Sequence, residues 1–125
     1  MVEQQRAVTK LQRAIRVPTV SDPDQLDPQT FAELHEVLRQ DFPLLHDQLE
    51  LTQIGDYGLL FRWPGHSSER PVVLMAHQDV VPVEGEWQHP AFGAEVVNGE
   101  IWGRGTLDDK GCLIAICEAV ELLLE

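Results

Sequence analysis

Pro71-Val72-Val73-Leu74-Met75-Ala76-His77-Gln78-Asp79 is the stretch on which the reading of this chain turns. Its first six residues form a short, continuous apolar run without polar alternation, the pattern of a strand buried on both faces in the middle of a sheet. In open α/β sheets, ligand sites gather beyond the carboxyl ends of the strands, which is where His77 and Asp79 fall. Residues i and i+2 of an extended segment project to one side, so these two side chains can reach a common point while Gln78 turns away. An imidazole binds zinc through one nitrogen and is commonly oriented by a carboxylate at the other. By itself the triplet is weak, because a His and an Asp at this spacing are common in ordinary loops.

A second segment, Gly103-Arg-Gly-Thr-Leu-Asp-Asp-Lys-Gly111, stands between a strand and an apolar helix. A phosphate cradle would need the dinucleotide glycine spacing or a Gly-Lys-Ser/Thr ending, and neither is present. The alternative takes Asp108 as a hard oxygen donor able to bridge two cations, with the flanking glycines permitting close approach. Asp109 has a plainer reading as a helix cap, since carboxylates favour the positive end of a helix.

The remaining elements fill in around these two segments. Ala7, Leu11, Ala14 and Ile15 recur at helical spacing until Pro18 stops the pattern. Ser21 to Pro28 is a loop. Pro28 opens a second helix with Asp27 as its N-cap and Phe31, Leu34, Leu38 and Phe42 on its buried face. His35 and His46 read as partly exposed surface residues. Leu49–Ile54 and Tyr57–Trp63 form a hairpin about Gly55-Asp56, and Asn98-Gly99 is a type I′ turn signal between Ala94–Val97 and Glu100–Trp102. From Lys110 onward the chain is helical, with Leu113, Ile116, Cys117, Val120 and Leu124 on one face and Ile114, Leu122 and Leu123 widening it. That helix reaches Glu125 with neither a C-cap glycine nor a closing proline and reads as cut short. The element order predicts an α/β fold, a three-layer α/β/α arrangement around a central mixed sheet, present in part.

Composition sets the outer bounds. The 125 residues, 43% hydrophobic and 24% charged, are enough for one modest core. Nine Lys and Arg against 21 Asp and Glu give a formal charge of -12, which removes nucleic acid and anionic membrane surfaces as expected partners and permits a cation site. Cys112 and Cys117 would point in different directions on one helix, so no disulfide is expected between them. No export signal or membrane span is read in the chain, and the expected location is cytoplasmic.

Taken together, His77-Gln-Asp-Val-Val-Pro-Val83, Trp87-Gln-His-Pro-Ala-Phe92 and Gly99-Glu-Ile-Trp-Gly-Arg-Gly-Thr-Leu-Asp-Asp-Lys-Gly111 resemble the zinc metallopeptidase family of carboxypeptidase S, aminoacylase and succinyl-diaminopimelate desuccinylase. Ile15-Arg-Val-Pro-Thr-Val20 and Tyr57-Gly-Leu-Leu-Phe-Arg-Trp-Pro-Gly65 look most like the carboxypeptidase S branch. The resemblance implies that His77 and Asp108 are metal ligands, Asp108 bridging two Zn2+ ions of a complete site, and that Asp79 is the catalytic-site carboxylate holding the His77 ring. It also implies that Asp109 supports the site through a cis bond to Asp108, that Trp87, Pro90 and Phe92 pack, and that His89 is no ligand.

On this resemblance, residues 1–125 are the N-terminal part of a zinc-peptidase catalytic domain. A glutamate base, further acidic ligands, a second histidine and a lid or dimerisation domain would lie outside them. The function it implies is zinc-dependent hydrolysis of amide bonds, as a carboxypeptidase or N-acyl amino acid hydrolase, with a small peptide or N-acyl amino acid as substrate and a homodimer only for the full-length protein. The segment alone is expected to be inactive. A rival from another class is a catalytically inert α/β binding or assembly module; a nucleotide-binding α/β domain is more distant.

Overall fold

A computed structural model of the chain describes residues 2–125. Four helices carry the core: α1 (Val2–Ile15), α2 (Pro28–Asp41), α3 (Pro43–Gln48) and α4 (Lys110–Leu124). Helix α2 starts where its sequence predicts, with Pro28 in the first turn and the Asp27 carboxylate accepting from Gln29 N at 3.0 Å. Ala14, Val17, Leu34, Leu38, Phe42, Leu45, Ile114 and Cys117 form the buried cluster where all four helices meet. Removing such side chains from water is the main favourable term available to a chain of this size.

The strands form two separate antiparallel hairpins. β1 (Glu50–Ile54) pairs with β2 (Gly58–Arg62), and β3 (Glu95–Val97) pairs with β4 (Glu100–Trp102). In the second hairpin Asn98 and Gly99 both have positive φ, 52° and 82°, as the type I′ reading requires. Leu59 and Phe61 of β2 lean on the helical core.

Two expectations change. Among the described residues there is no central mixed sheet, only the two hairpins and one isolated parallel bridge between Val20 and Val80. Pro71–Ala76, read as a strand buried on both faces, pairs with nothing, and Val72, Val73, Leu74 and Met75 are 86%, 70%, 61% and 83% exposed. Burial on both faces needs strands at both edges and a layer above and below, and no described element supplies them. What the structure gives is an α/β arrangement of helices and small antiparallel sheets.

Helix α4 packs the expected face, with Ile114 and Cys117 buried and Leu113, Val120 and Leu124 against the core, but its most buried stripe also takes in charged residues that the apolar pattern did not suggest. Lys110, Ile114, Cys117, Glu118 and Glu121, at helical spacing, face inward, while Leu123 is 74% exposed. The buried carboxylates are paired across the core. Glu118 meets Arg6 Nε at 2.8 Å and Lys10 Nζ, and Lys10 also lies 4.4 Å from the Phe42 ring centroid. Glu121 accepts from Leu44 N at 2.9 Å and Leu45 N at 2.8 Å. These last bonds satisfy the first-turn donors of α3, a helix of only six residues whose N-cap position, Phe42, has no acceptor to offer.

Candidate metal centre

His77 and Asp79 owe their position to the segment that follows α1. Val80 N donates to Thr19 O at 2.9 Å, Ser21 N to Val80 O at 3.1 Å, and Thr19 Oγ1 to Gln78 O at 2.6 Å. The Gln78 side chain turns the other way, as alternation in extended backbone demands. Its Oε1 lies 2.7 Å from His35 Nε2 and its Nε2 donates to Tyr57 O, so it ties the segment to α2 and to the first hairpin. His35, read from sequence as a surface residue, therefore has a fixed partner beneath the site.

The second half of the site is the turn between β4 and α4. Asp108 and Asp109 are joined by a cis peptide bond, the geometry that the resemblance implies. Asp109 stands at the N-cap position of α4, as its cap reading placed it, but its carboxylate makes no capping hydrogen bond to that helix. Asp109 Oδ2 instead accepts from His77 N at 3.1 Å, and the Cys112 thiol, in the first turn of α4, stands beside the carboxylate. Those two groups hold the Asp109 carboxyl below its ordinary pKa, the thiol contributing more, and the same contact pushes the Cys112 thiol up.

The two halves meet at the His77 imidazole. Nε2 lies 2.8 Å from Asp108 Oδ1, while Nδ1 lies 3.1 Å from Asp79 Oδ1 and 3.1 Å from Asp79 O. With an acceptor at each nitrogen, the protonated ring is the better satisfied form. The His77 pKa is accordingly raised, the hydrogen bond to Asp108 contributing most and partial desolvation opposing it. The site is open: the His77 and Asp108 side chains are 50% and 88% exposed. Asp108 has room to move.

This donor set can be weighed against zinc directly. A neutral imidazole and a carboxylate suit the ion, and tetrahedral bonds of ~2.0–2.2 Å hold N and O donors ~3.4 Å apart, so the pair at 2.8 Å needs to open by roughly half an ångström. Among the described residues no group of three or more His, Cys, Asp or Glu side chains is arranged to hold a metal ion. The residues present thus fit one edge of a zinc site.

His89 is occupied elsewhere, 2.9 Å from Glu95 Oε2 and against the Trp102 ring. Sequence reading missed Lys110, which lies fully buried two residues beyond Asp108 with its Nζ on Ala14 O at 2.9 Å and Val17 O at 2.6 Å. Desolvation pushes its pKa down to about 8. A lysine at the first position of an apolar helix reads from sequence as a solvated charge, and nothing local signals otherwise.

Comparison with known proteins adds an independent line. Residues 73–125, which hold every residue of the candidate centre, match the model of peptidase family M20/M25/M40. The chain is 39% identical to carboxypeptidase S of Saccharomyces cerevisiae over 132 residues, covering 94% of the chain and 23% of the relative. It is 38% identical to an N-fatty-acyl-amino acid synthase/hydrolase of Xenopus tropicalis over 128 residues, 98% of the chain and 25% of the relative, and 40% identical to that of Bos taurus over 129 residues, 98% of the chain and 26% of the relative. The chain spans about a quarter of the length of these curated relatives.

Proposed function

Starting from a segment, residues 73–125, that matches the M20/M25/M40 peptidases and from the likeness to carboxypeptidase S, we propose that this chain is the part of a zinc-dependent amide hydrolase that carries one side of its metal centre. The observation that carries the reading is the His77 ring held between two carboxylates, Asp79 at Nδ1 and Asp108 at Nε2. His77 Nε2 and Asp108 Oδ1 would be the zinc donors. Asp79 fixes which imidazole nitrogen faces Asp108, and Asp109 holds the backbone of His77, so neither ring nor main chain has to reorganise when the donors engage. Zinc held there would supply Lewis-acid polarisation of an amide carbonyl. The relatives' names, carboxypeptidase and N-fatty-acyl-amino acid hydrolase, share one bond type, an amide whose cleavage releases an amino acid. We take a small peptide or an N-acyl amino acid as the substrate class of the whole enzyme.

The further ligands and the general base belong, on this reading, to the rest of a three-layer α/β/α catalytic domain and not to residues 1–125. Glu118 and Glu121, the acidic residues of α4 that lie buried, are engaged by Arg6, Lys10 and the backbone of α3. Zinc titration by calorimetry, with a parallel assay of dipeptide and N-acyl amino acid hydrolysis, tests the proposal. The expected result is weak zinc binding that vanishes in His77→Ala, and no turnover. Tight binding of two zinc ions per chain, or turnover abolished by Asp108→Asn, contradicts it. A second reading, an inert α/β module, draws on the lack of a third donor among the described residues. It predicts zinc association indifferent to His77→Ala.

A further inference from the structure

The two halves of the candidate centre come from segments separated by 31 residues, yet both are fastened to one stretch of backbone. On the His77 side, Thr19 O accepts from Val80 N and Thr19 Oγ1 donates to Gln78 O. On the Asp108 side the tie is a single side chain. Lys110 Nζ spans to the C-terminal end of α1 and donates to Ala14 O at 2.9 Å and Val17 O at 2.6 Å. Carbonyls at a helix C-terminus lack intrahelical donors and carry partial negative charge, so an ammonium is the group suited to them. The glycine loop closes over the lysine stem. Lys110 N donates to Gly105 O at 2.9 Å, and a Cβ on Gly105 would lie 3.5 Å from Lys110 Cδ and collide with Val80 Cγ1 at 2.7 Å. Gly105 has φ +88°, so the position is closed to side chains on conformational grounds as well.

We infer that Lys110 is a positioning residue for the metal centre: its ammonium clamps the Asp108–Asp109 turn onto the same Ala14–Ser21 backbone that holds His77–Asp79, and so sets the distance between Asp108 and His77. A buried cation is costly unless its partners justify it, and a stability role alone would be served as well by an apolar residue at this core position. What an apolar residue cannot do is bind two fixed carbonyl oxygens and thereby fix the register of the turn. Because Asp108 is exposed and its side chain has no hydrogen-bond partner other than His77 among the described residues, its position depends on the backbone that Lys110 anchors.

The inference rests on the reading of His77 and Asp108 as a donor pair, and the test separates the two. In the 125-residue chain, Lys110→Met keeps the length and apolar stem while removing the cation. Two readouts are taken: the nuclear Overhauser contact between the His77 ring and the Asp108 β-protons without metal, and zinc affinity by competition with a chromophoric chelator. Lys110→Met is expected to retain the helical circular dichroism of the parent, lose the His77–Asp108 contact and bind zinc at least ~10-fold more weakly, the scale seen when groups that orient a ligand are removed. Glu121→Gln, a destabilising change on the same face of α4 but toward its C-terminal end, away from the Asp108–Asp109 turn, is the control and keeps both. A Lys110→Met chain with the contact and the zinc affinity of the parent overturns the inference. Where Lys110→Met does not fold, Lys110→Arg decides: the longer, planar cation is expected to hold the fold but displace the turn, weakening zinc several-fold, and parent-like contact and affinity overturn the inference equally. If the parent chain binds no zinc, the donor reading fails, while the contact measured without metal still decides the role of Lys110.

Discussion

Replacing Glu121 by Ala tests whether the acidic face of α4 is committed to structure. Glu121 is 3% exposed, and its two carboxylate oxygens accept from the backbone N–H groups of Leu44 and Leu45 at 2.9 and 2.8 Å. A hydrogen bond to a charged acceptor contributes ~1.5–3 kcal/mol, and a buried donor left unpaired costs its full desolvation penalty. Losing both acceptors should therefore cost ~3–5 kcal/mol, against a total stability of about 5–15 kcal/mol for a domain. Glu121→Gln keeps one acceptor oxygen and should cost only ~1–2 kcal/mol. At roughly 4 °C per kcal/mol for a chain of this length, the Ala variant should melt ~12–20 °C below the parent and the Gln variant ~4–8 °C below. Thermal unfolding followed by circular dichroism at 222 nm measures both. A loss below ~1 kcal/mol in the Ala variant, or equal losses in the two, would show that α3 does not depend on this carboxylate. It would also return Glu121 to the pool of acids free for chemistry.

The electrostatics of the site make two further predictions. Cys117, buried and with its thiol pushed up to about 12 by desolvation, should resist a disulfide reagent at pH 8 in the folded chain, while exposed Cys112 reacts and reacts faster in Asp109→Asn; equal rates for the two thiols contradict the fold of α4. The His77 C2 proton should titrate above the ordinary imidazole range of about 6.5 and fall back in Asp108→Asn. Since the folded pKa is raised, the stability from this contact is fully present below the unfolded value and fades as pH rises through the folded one. A parent-minus-variant stability that grows with pH across that window would be the wrong sign.

Local rules made much of this chain legible in advance. Pro18 and Pro28 mark the end of α1 and the start of α2, Asp27 is placed to cap, and Asn98-Gly99 forces its turn, because each depends on the backbone freedom of one or two residues. The segments bearing His77, Asp79, Asp108 and Asp109 stood out together through the family resemblance, which also implied that they meet, and the alternation that sends Gln78 away from its neighbours is a property of extended backbone. How they converge no local pattern states. The convergence rests on Thr19, Asp109 and Lys110 making bonds across gaps of 59, 32 and 93 residues, and no local pattern encodes such a gap.

The same limit explains the elements that departed from expectation. Helix α3 is too short to be stable from its own residues and exists because Glu121, 76 residues later, accepts its first-turn donors. The apolar periodicity of α4 suggested a leucine face, yet the buried stripe includes Lys110, Glu118 and Glu121, whose charges are tolerable in the core only because α1 and α3 present carbonyls, cations and N–H groups to them. Pro71–Ala76 carries the pattern of a buried strand and lies exposed. Hydrophobic pattern states which side chains avoid water, a property of each residue alone; whether they succeed depends on a partner surface, and only the tertiary arrangement supplies or withholds one.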